Sequence, residues 1–456
     1  MLACRRLEMA EAGDPLADFV EAACAPLDSG HAAGTLERAE AILAAHPELA
    51  GVSIHAAAIL GDDAGVGRFL ARDPGSAARK GGPRGWDPLT YLCFSRYLRL
   101  DRGRSESFVR AAAALLDAGA SANSGFTWDG ELESVLYGAA GVAHHAGLTR
   151  LLLERGADPN DEETPYHAPE TYDNAALRLL VESGRLSADS LTTMLARKCD
   201  WHDHDGVLWL LQHGADPNRP SRWGKTALHQ ALVRDNALRT IEALLDHGAD
   251  PRAEWNGQSA LAMAARAGRG DVLELVERRG LPVDLAGVLR LVAACARRDA
   301  VQVLALAQRE PGLVPELLAD GSELLAEFAG VGNTEGVRLL LDLGVPVDAL
   351  YAQGDGYFDV ANDSTALHVA SWRAWPATVK LLVERGASVT VRDGKGRTPL
   401  ALAVRACVDS YWTERRSPES VAALLEAGAP VEDAPFPSGY AEVDELLRSR
   451  GRADPA

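Results

Sequence analysis

One phrase keeps returning along this chain: a leucine pair, two or three polar residues, a glycine, then a small or branched residue before Asp or Asn. It reads LLDAGASAN at 115–123, LLERGADPN at 152–160, LLQHGADPN at 210–218 and LLDHGADPR at 244–252. Looser copies are LVERRGLPVD up to Asp284, LLDLGVPVD up to Asp348, LVERGASVT up to Thr390 and LLEAGAPVE up to Glu432. The marker glycines are Gly119, Gly156, Gly184, Gly214, Gly248, Gly280, Gly312, Gly344, Gly386 and Gly428, and several neighbours stand 32–34 residues apart. Such a period means a stack of small units, each burying its apolar face on the next, so 456 residues need no single large core.

Each part of the phrase has a physical reading. The Leu pair is the buried stripe of an outer helix, and Gly is the left-handed residue that ends it. The Asp-Pro-Asn that follows leads into an extended finger. A second signal lies between the phrases: Thr226-Ala227-Leu228-His229, Thr365-Ala366-Leu367-His368 and Thr398-Pro399-Leu400. Thr stands there as an N-cap, and Pro399 at the first helical position. Thr164-Pro165-Tyr166-His167 is a weaker copy in which Pro169 shortens the helix.

These phrases resemble the ankyrin repeat, over roughly Ile42 to the C-terminus and most closely at 150–284 and 364–431. The resemblance implies an all-α solenoid of about eleven or twelve units, degenerate ones included. It implies inner helices lining a concave groove, fingers along one side, and motif histidines (His167, His229, His368) that bridge neighbouring loops. The expected organisation is a tail and capping helix over 1–35, a continuous solenoid over 36–447, and a tail over 448–456. A protein or peptide partner is the expectation that goes with it, and a small-molecule ligand is the alternative.

Composition narrows the partners. A net charge of −19 argues against nucleic acid and against anionic membrane surfaces. Six scattered cysteines (Cys4, Cys24, Cys93, Cys199, Cys295, Cys407) form no C-x-x-C pair and suit a reducing cytoplasm. The first twelve residues carry no apolar signal core, and no run is long enough to span a bilayer. No motif asks for a cofactor or a metal. Gly224-Lys225-Thr226 lacks the leading glycine of a phosphate loop, since Arg219 stands there.

Function is expected where the copies differ. The run Cys199-Asp200-Trp201-His202-Asp203-His204-Asp205 replaces a short turn, and with Tyr172 and Asp173 it suggests either a capped, solvated turn or a ligand site. If the chain is an enzyme, His202, His204, Asp173 and Asp203 are the acid–base candidates. Nearer the C-terminus the finger 351–359 and the turn 410–418 are enlarged. Tyr411, Trp412, Arg415 and Arg416 there, with Trp372 and Trp375 one unit earlier, have the composition of a binding hot spot. Trp223 and Trp255 stand at successive fingertips, where small polar residues are usual, and form a candidate apolar wall. The main expectation is a protein- or peptide-binding scaffold. The alternative is acid–base or metal-assisted chemistry on a small molecule or peptide around Trp201–Asp205.

Overall fold

The computed structural model describes residues 14–27, 30–31 and 33–452; Cys4 and the ends of both expected tails lie outside the described residues. The fold is a succession of antiparallel helix pairs grouped into two compact units. One comprises the described residues up to Arg234 with Asp246–Ala249, the other Asp235–Leu245 with the described residues from Asp250.

In the first unit the inner helices are Ile54–Ile59, Pro88–Cys93, Val135–Tyr137 (continued as a π turn to Val142), Glu163–His167, Ala188–Asp200 and Ala227–Val233. Outer helices Asp63–Arg72, Ser105–Asp117, Ala146–Glu154, Ala175–Glu182 and His204–Gln212 back them. Pro15–Ala23 packs on Glu37–Ala45 ahead of the first pair. In the second unit Ala260–Arg266, Val288–Ala296, Gly321–Gly330, Ala366–Trp372 and Pro399–Asp409 form the inner row. The fingers are two-stranded hairpins where they are longest, as in Gly125–Trp128 with Glu131–Ser134.

The caps expected from sequence are in place. Thr226 and Thr365 each close a reciprocal box with His229 and His368, and Thr398 accepts from the Ala401 amide at 3.3 Å. His368 also reaches the carbonyls of Val391 and Arg397 at 3.0 and 3.2 Å, tying one finger to the next. Gly156 and Gly214 end their outer helices at φ +90 and +94, where any Cβ would be strained. Gly312 behaves differently. It sits at φ −64 in front of helix Leu313–Ala319 and closes nothing, because Pro311 has already ended the preceding helix.

Most turns joining an inner helix to its outer helix place one residue at positive φ. Gly61, Gly268 and Gly332 fill that place in some units, and His144, His202, Asp235, Arg298 and Ala374 in others. The following residue usually caps the outer helix: Asp62, His145, Asp203, Asp299 and Asn333 each accept a backbone N–H three residues on. This changes the reading of the 199–205 run. Helix Ala188–Asp200 starts early, on its Ser187 cap, and extends through Cys199 and Asp200. The turn is therefore of ordinary length, and Cys199 is a buried helical residue whose thiol burial pushes well up.

Candidate binding site at the arginine–tryptophan turns

Two consecutive turns of the second unit break the capping rule. Trp375 stands where most of its counterparts cap, and its side chain caps nothing; Pro376 opens the outer helix instead. Its indole donates to the Gly330 carbonyl at 2.7 Å and lies over Gly332, where a Cβ would come within 2.4 Å of the ring. One unit further on, the turn after Pro399–Asp409 is extended by the single 3-10 turn Thr413–Arg415. That extension carries Trp412 inward to a buried position and leaves Tyr411 78% exposed.

Between these turns lies Arg373, only 4% exposed. Its guanidinium carbon is 3.9 Å from the Phe358 ring centre and 4.2 Å from that of Trp412, so the cation packs against both of these neighbouring rings, whose centres are 5.8 Å apart. Phe358 comes from the enlarged finger, and its carbonyl accepts from the Trp372 indole. Phe358, Trp372, Trp412, Val360, Val369 and Leu402 form one apolar cluster, with Tyr351 packed against it. The finger is enlarged, then, to deliver an aromatic plate under Arg373. Asp359, at φ +55, anchors it through Lys395, through Arg397 at 3.2 Å and through Arg405 at 2.5 Å.

Charge in this region is unevenly matched. Arg373 donates to Asp235 at 2.6 Å, and Asp235 also accepts from Arg269 at 2.9 Å. Arg269 is separately chelated by Asp271, with both bonds at 2.9 Å. Arg415 stacks 4.1 Å from the centre of Trp375 and 5.3 Å from that of Trp412, and its nearest carboxylate contact is Glu414 at 3.9 Å. Burial pulls Arg373 below the usual guanidinium range and Arg415 down to about 10, which leaves Arg415 cationic at neutral pH. Burial also pushes Glu327 up to about 7 while it accepts from the Tyr351 hydroxyl at 3.1 Å.

Five buried polar atoms of the two turns have no hydrogen-bond partner within the protein: Arg373 Nε, Arg415 Nη1, Arg416 Nε, Ser371 Oγ and Ser410 Oγ. Arg416 does use its Nη2, donating to the Ser410 carbonyl at 2.7 Å. Orphan donors on charged groups are costly, which makes their concentration in one place informative.

The other candidates are placed as follows. In the first unit, Asp203 is a buried cap whose carboxylate accepts from Lys198 at 2.8 Å, Asn174 at 2.9 Å and the Gly206 amide at 3.0 Å. Burial would raise it, but those donors hold it below the usual carboxylate range. Asp173 accepts from the Ala175 amide at 3.0 Å. His202 is the half-buried left-handed residue of its turn, and His204 opens the next helix. Tyr172, 67% exposed, meets Trp201 edge-on at 6.0 Å. Trp223 leans on Tyr166 at 5.9 Å, with Arg222 over both rings. Trp255 lies half-buried on hairpin strand Glu254–Trp255 of the second unit.

Sequence reasoning passed over Arg373, which sits in an unremarkable repeat position, and treated His167 as a motif residue. His167 lies between Glu163 (3.1 Å) and Glu170 (3.0 Å), and Glu170 continues to Arg197. Burial alone would lower the imidazole, but the two carboxylates push it up to about 9. The i, i+4 spacing of Glu163 and His167 on a helix was the available signal. Among the described residues no group of three or more His, Cys, Asp or Glu is placed to hold a metal ion. No helix among them is long and apolar enough to cross a membrane.

Comparison with known proteins agrees with the helix-pair architecture. A family model of three ankyrin repeats matches residues 193–284, and a single-repeat ankyrin model matches 362–394. Serine/threonine-protein kinase 12 of Arabidopsis thaliana is 37% identical over 94 residues, 20% of this chain and 18% of that protein. The E3 ubiquitin-protein ligase KEG of Arabidopsis thaliana is 25% identical over 251 residues, 50% of this chain and 15% of that protein. The chain thus spans less than a fifth of either relative's length. The crystal structure of the human ASB11 ankyrin repeat domain is similar at 20% identity and a TM-score of 0.26, covering 58% of this chain and 98% of that one. Both family matches fall on stretches where the Thr caps and left-handed glycines are regular, and the chain carries ankyrin repeats there, at 193–284 and 362–394.

Proposed function

We propose that this chain is a binding scaffold for a protein segment or peptide, engaged at the edge of the second unit formed by the turns at 373–375 and 410–416. The observation that carries the reading is the Trp375 turn, where a capping residue has been given up for an indole stacked on Arg415. Tyr411, in the next turn and edge-on to Trp412, is 78% exposed, and Trp, Tyr and Arg are the residues that dominate binding energy at interfaces. Trp412 and Phe358 supply a rigid floor beneath them, so little side-chain entropy is lost when a partner docks. The test is a peptide-library selection on the full chain, repeated with Trp375→Ala and Tyr411→Ala. Loss of selected peptides by about tenfold or more in either variant supports the assignment. Selected peptides that bind both variants as tightly as the parent refute it.

A further inference from the structure

Resting on that reading, we propose that the group taken by this face is a carboxylate, held between the guanidinium groups of Arg415 and Arg373 and walled by Trp375 and Trp412. The first argument is charge. Arg269 is chelated by Asp271, so Asp235, a half-buried carboxylate that also accepts from Arg269, is the one shared by Arg373 and, at longer range, Arg415. Glu414 stands 3.9 Å from Arg415 but is 71% exposed, so water screens much of its effect. Two guanidinium groups against one shared carboxylate leave close to one unit of positive charge. Glu327 keeps its proton up to about 7 and Asp355 acts on Arg373 through space, so the excess is at most one positive charge and suits a monoanion better than a dianion such as phosphate.

Hydrogen-bonding capacity is the second argument. Arg373 is buried with Nε unused, and Arg415 has Nη1 unused. Guanidinium edges in this state match the lone pairs of a planar carboxylate. Two hydroxyls also without partners lie nearby in the chain, Ser371 in the last turn of helix Ala366–Trp372 and Ser410 at the start of the second turn. The walls supply the third argument. Trp375 and Trp412 flank Arg415 with ring faces, and an aromatic or aliphatic group next to the carboxylate would cover them. A chain-terminal residue with its free carboxylate has that shape, and so does an acidic side chain beside an apolar one.

Titration calorimetry on the full chain decides this with N-acetyl-phenylalanine and N-acetyl-phenylalaninamide, which differ in the anionic group. The acid is expected to bind at least about tenfold more tightly than the amide, and Arg415→Gln is expected to abolish the difference. Arg415→Lys, which keeps the charge but not the fork, should retain part of it, and near-parental melting of both variants rules out unfolding as the cause. Equal binding of acid and amide, or heat from neither up to the solubility limit, overturns the inference. A free-acid hexapeptide ending in phenylalanine is then compared with an amidated hexapeptide carrying one internal glutamate. A tighter free acid makes the source a chain end, and a tighter glutamate peptide makes it a side chain. Selected peptides that bind with no preference for any carboxylate overturn this inference while leaving the binding-scaffold reading intact. Binding of the small acid with no peptide selected does the reverse.

Discussion

Arg373 and Asp235 meet at 2.6 Å although 138 residues separate them in the chain. Each belongs to an inner–outer turn, and three further turns lie between them in sequence, so in a straight stack they would be roughly 40 Å apart at about 10 Å per unit. Within the second unit the turns instead converge. Asn333 donates to both Gly268 and Ala296, and helix Gly321–Gly330 reaches past its neighbour to touch Ala260–Arg266. The intervening outer helix Ala300–Arg309 is left with Val301 and Leu304 exposed. The arginine–tryptophan site is a product of this bend.

Removing the carboxylate of that pair should be severe. Asp235→Ala leaves Arg373 buried without its ion-pair partner, and the expected loss is about 3–5 kcal/mol in the urea unfolding of the second unit. Adding Arg373→Met, which removes the stranded charge, is expected to restore most of it. A double variant no better than the single one would show that the pair is not what holds these turns.

Gly332→Ala tests the seating of Trp375. The residue has φ +71, which alone costs a non-glycine residue about 1–2 kcal/mol, and the new Cβ would lie 2.4 Å from the indole. The ring must swing away, so lower stability is expected together with a red-shifted tryptophan emission. Loss of stability without an emission change would place the effect in the backbone only.

The enlarged finger should depend on Asp359. Burial works against its charge, but Lys395, Arg405 and Arg397 hold the carboxyl down at about 2 against 3.8 for the ordinary side chain. Its contribution is therefore present above pH 3.8 and lost as pH falls through 2. Asp359→Asn should lose about 1–3 kcal/mol at neutral pH and lose less than the parent on acidification. Urea midpoints of the two proteins at pH 7 and pH 3 give the comparison.

Glu327 and His167 should shape the pH profile at its other end. Folded Glu327 holds its proton up to about 7, whereas the unfolded side chain releases it near 4.5, so its effect lowers stability as pH rises across that window. Glu327→Gln should flatten this slope. His167 is raised from 6.5 to about 9, so its stabilisation is complete below 6.5 and disappears as pH rises through 9. His167→Gln should therefore weaken the protein more at pH 6 than at pH 10, measured by urea midpoint. Variants with slopes parallel to the parent would contradict both assignments.

Much of the fold was legible in the chain because its signals are local. A Thr cap, a Pro at the first helical turn or a glycine at positive φ acts through its own few residues of backbone, whatever surrounds it. Thr365, Pro399 and Gly214 could therefore be placed without knowing a single contact. The composition of the site was legible too: Trp375, Trp412 and Arg415 stood out as residues a plain repeat does not need. Their assembly was not, and neither was the early start of helix Ala188–Asp200, which turns the expected loop around Cys199 into helix.

The sequence by itself thus determined the helix pairs, their caps and the chemistry spent on the turns. Only the tertiary structure decided that Phe358 lies under Arg373, that Asp235 faces it, and that several guanidinium nitrogens there are left unbonded. The physical reason is that each unit's conformation is set by short-range backbone and capping forces. The bend that brings distant turns together is a small difference summed over many packing contacts, and no single residue encodes it.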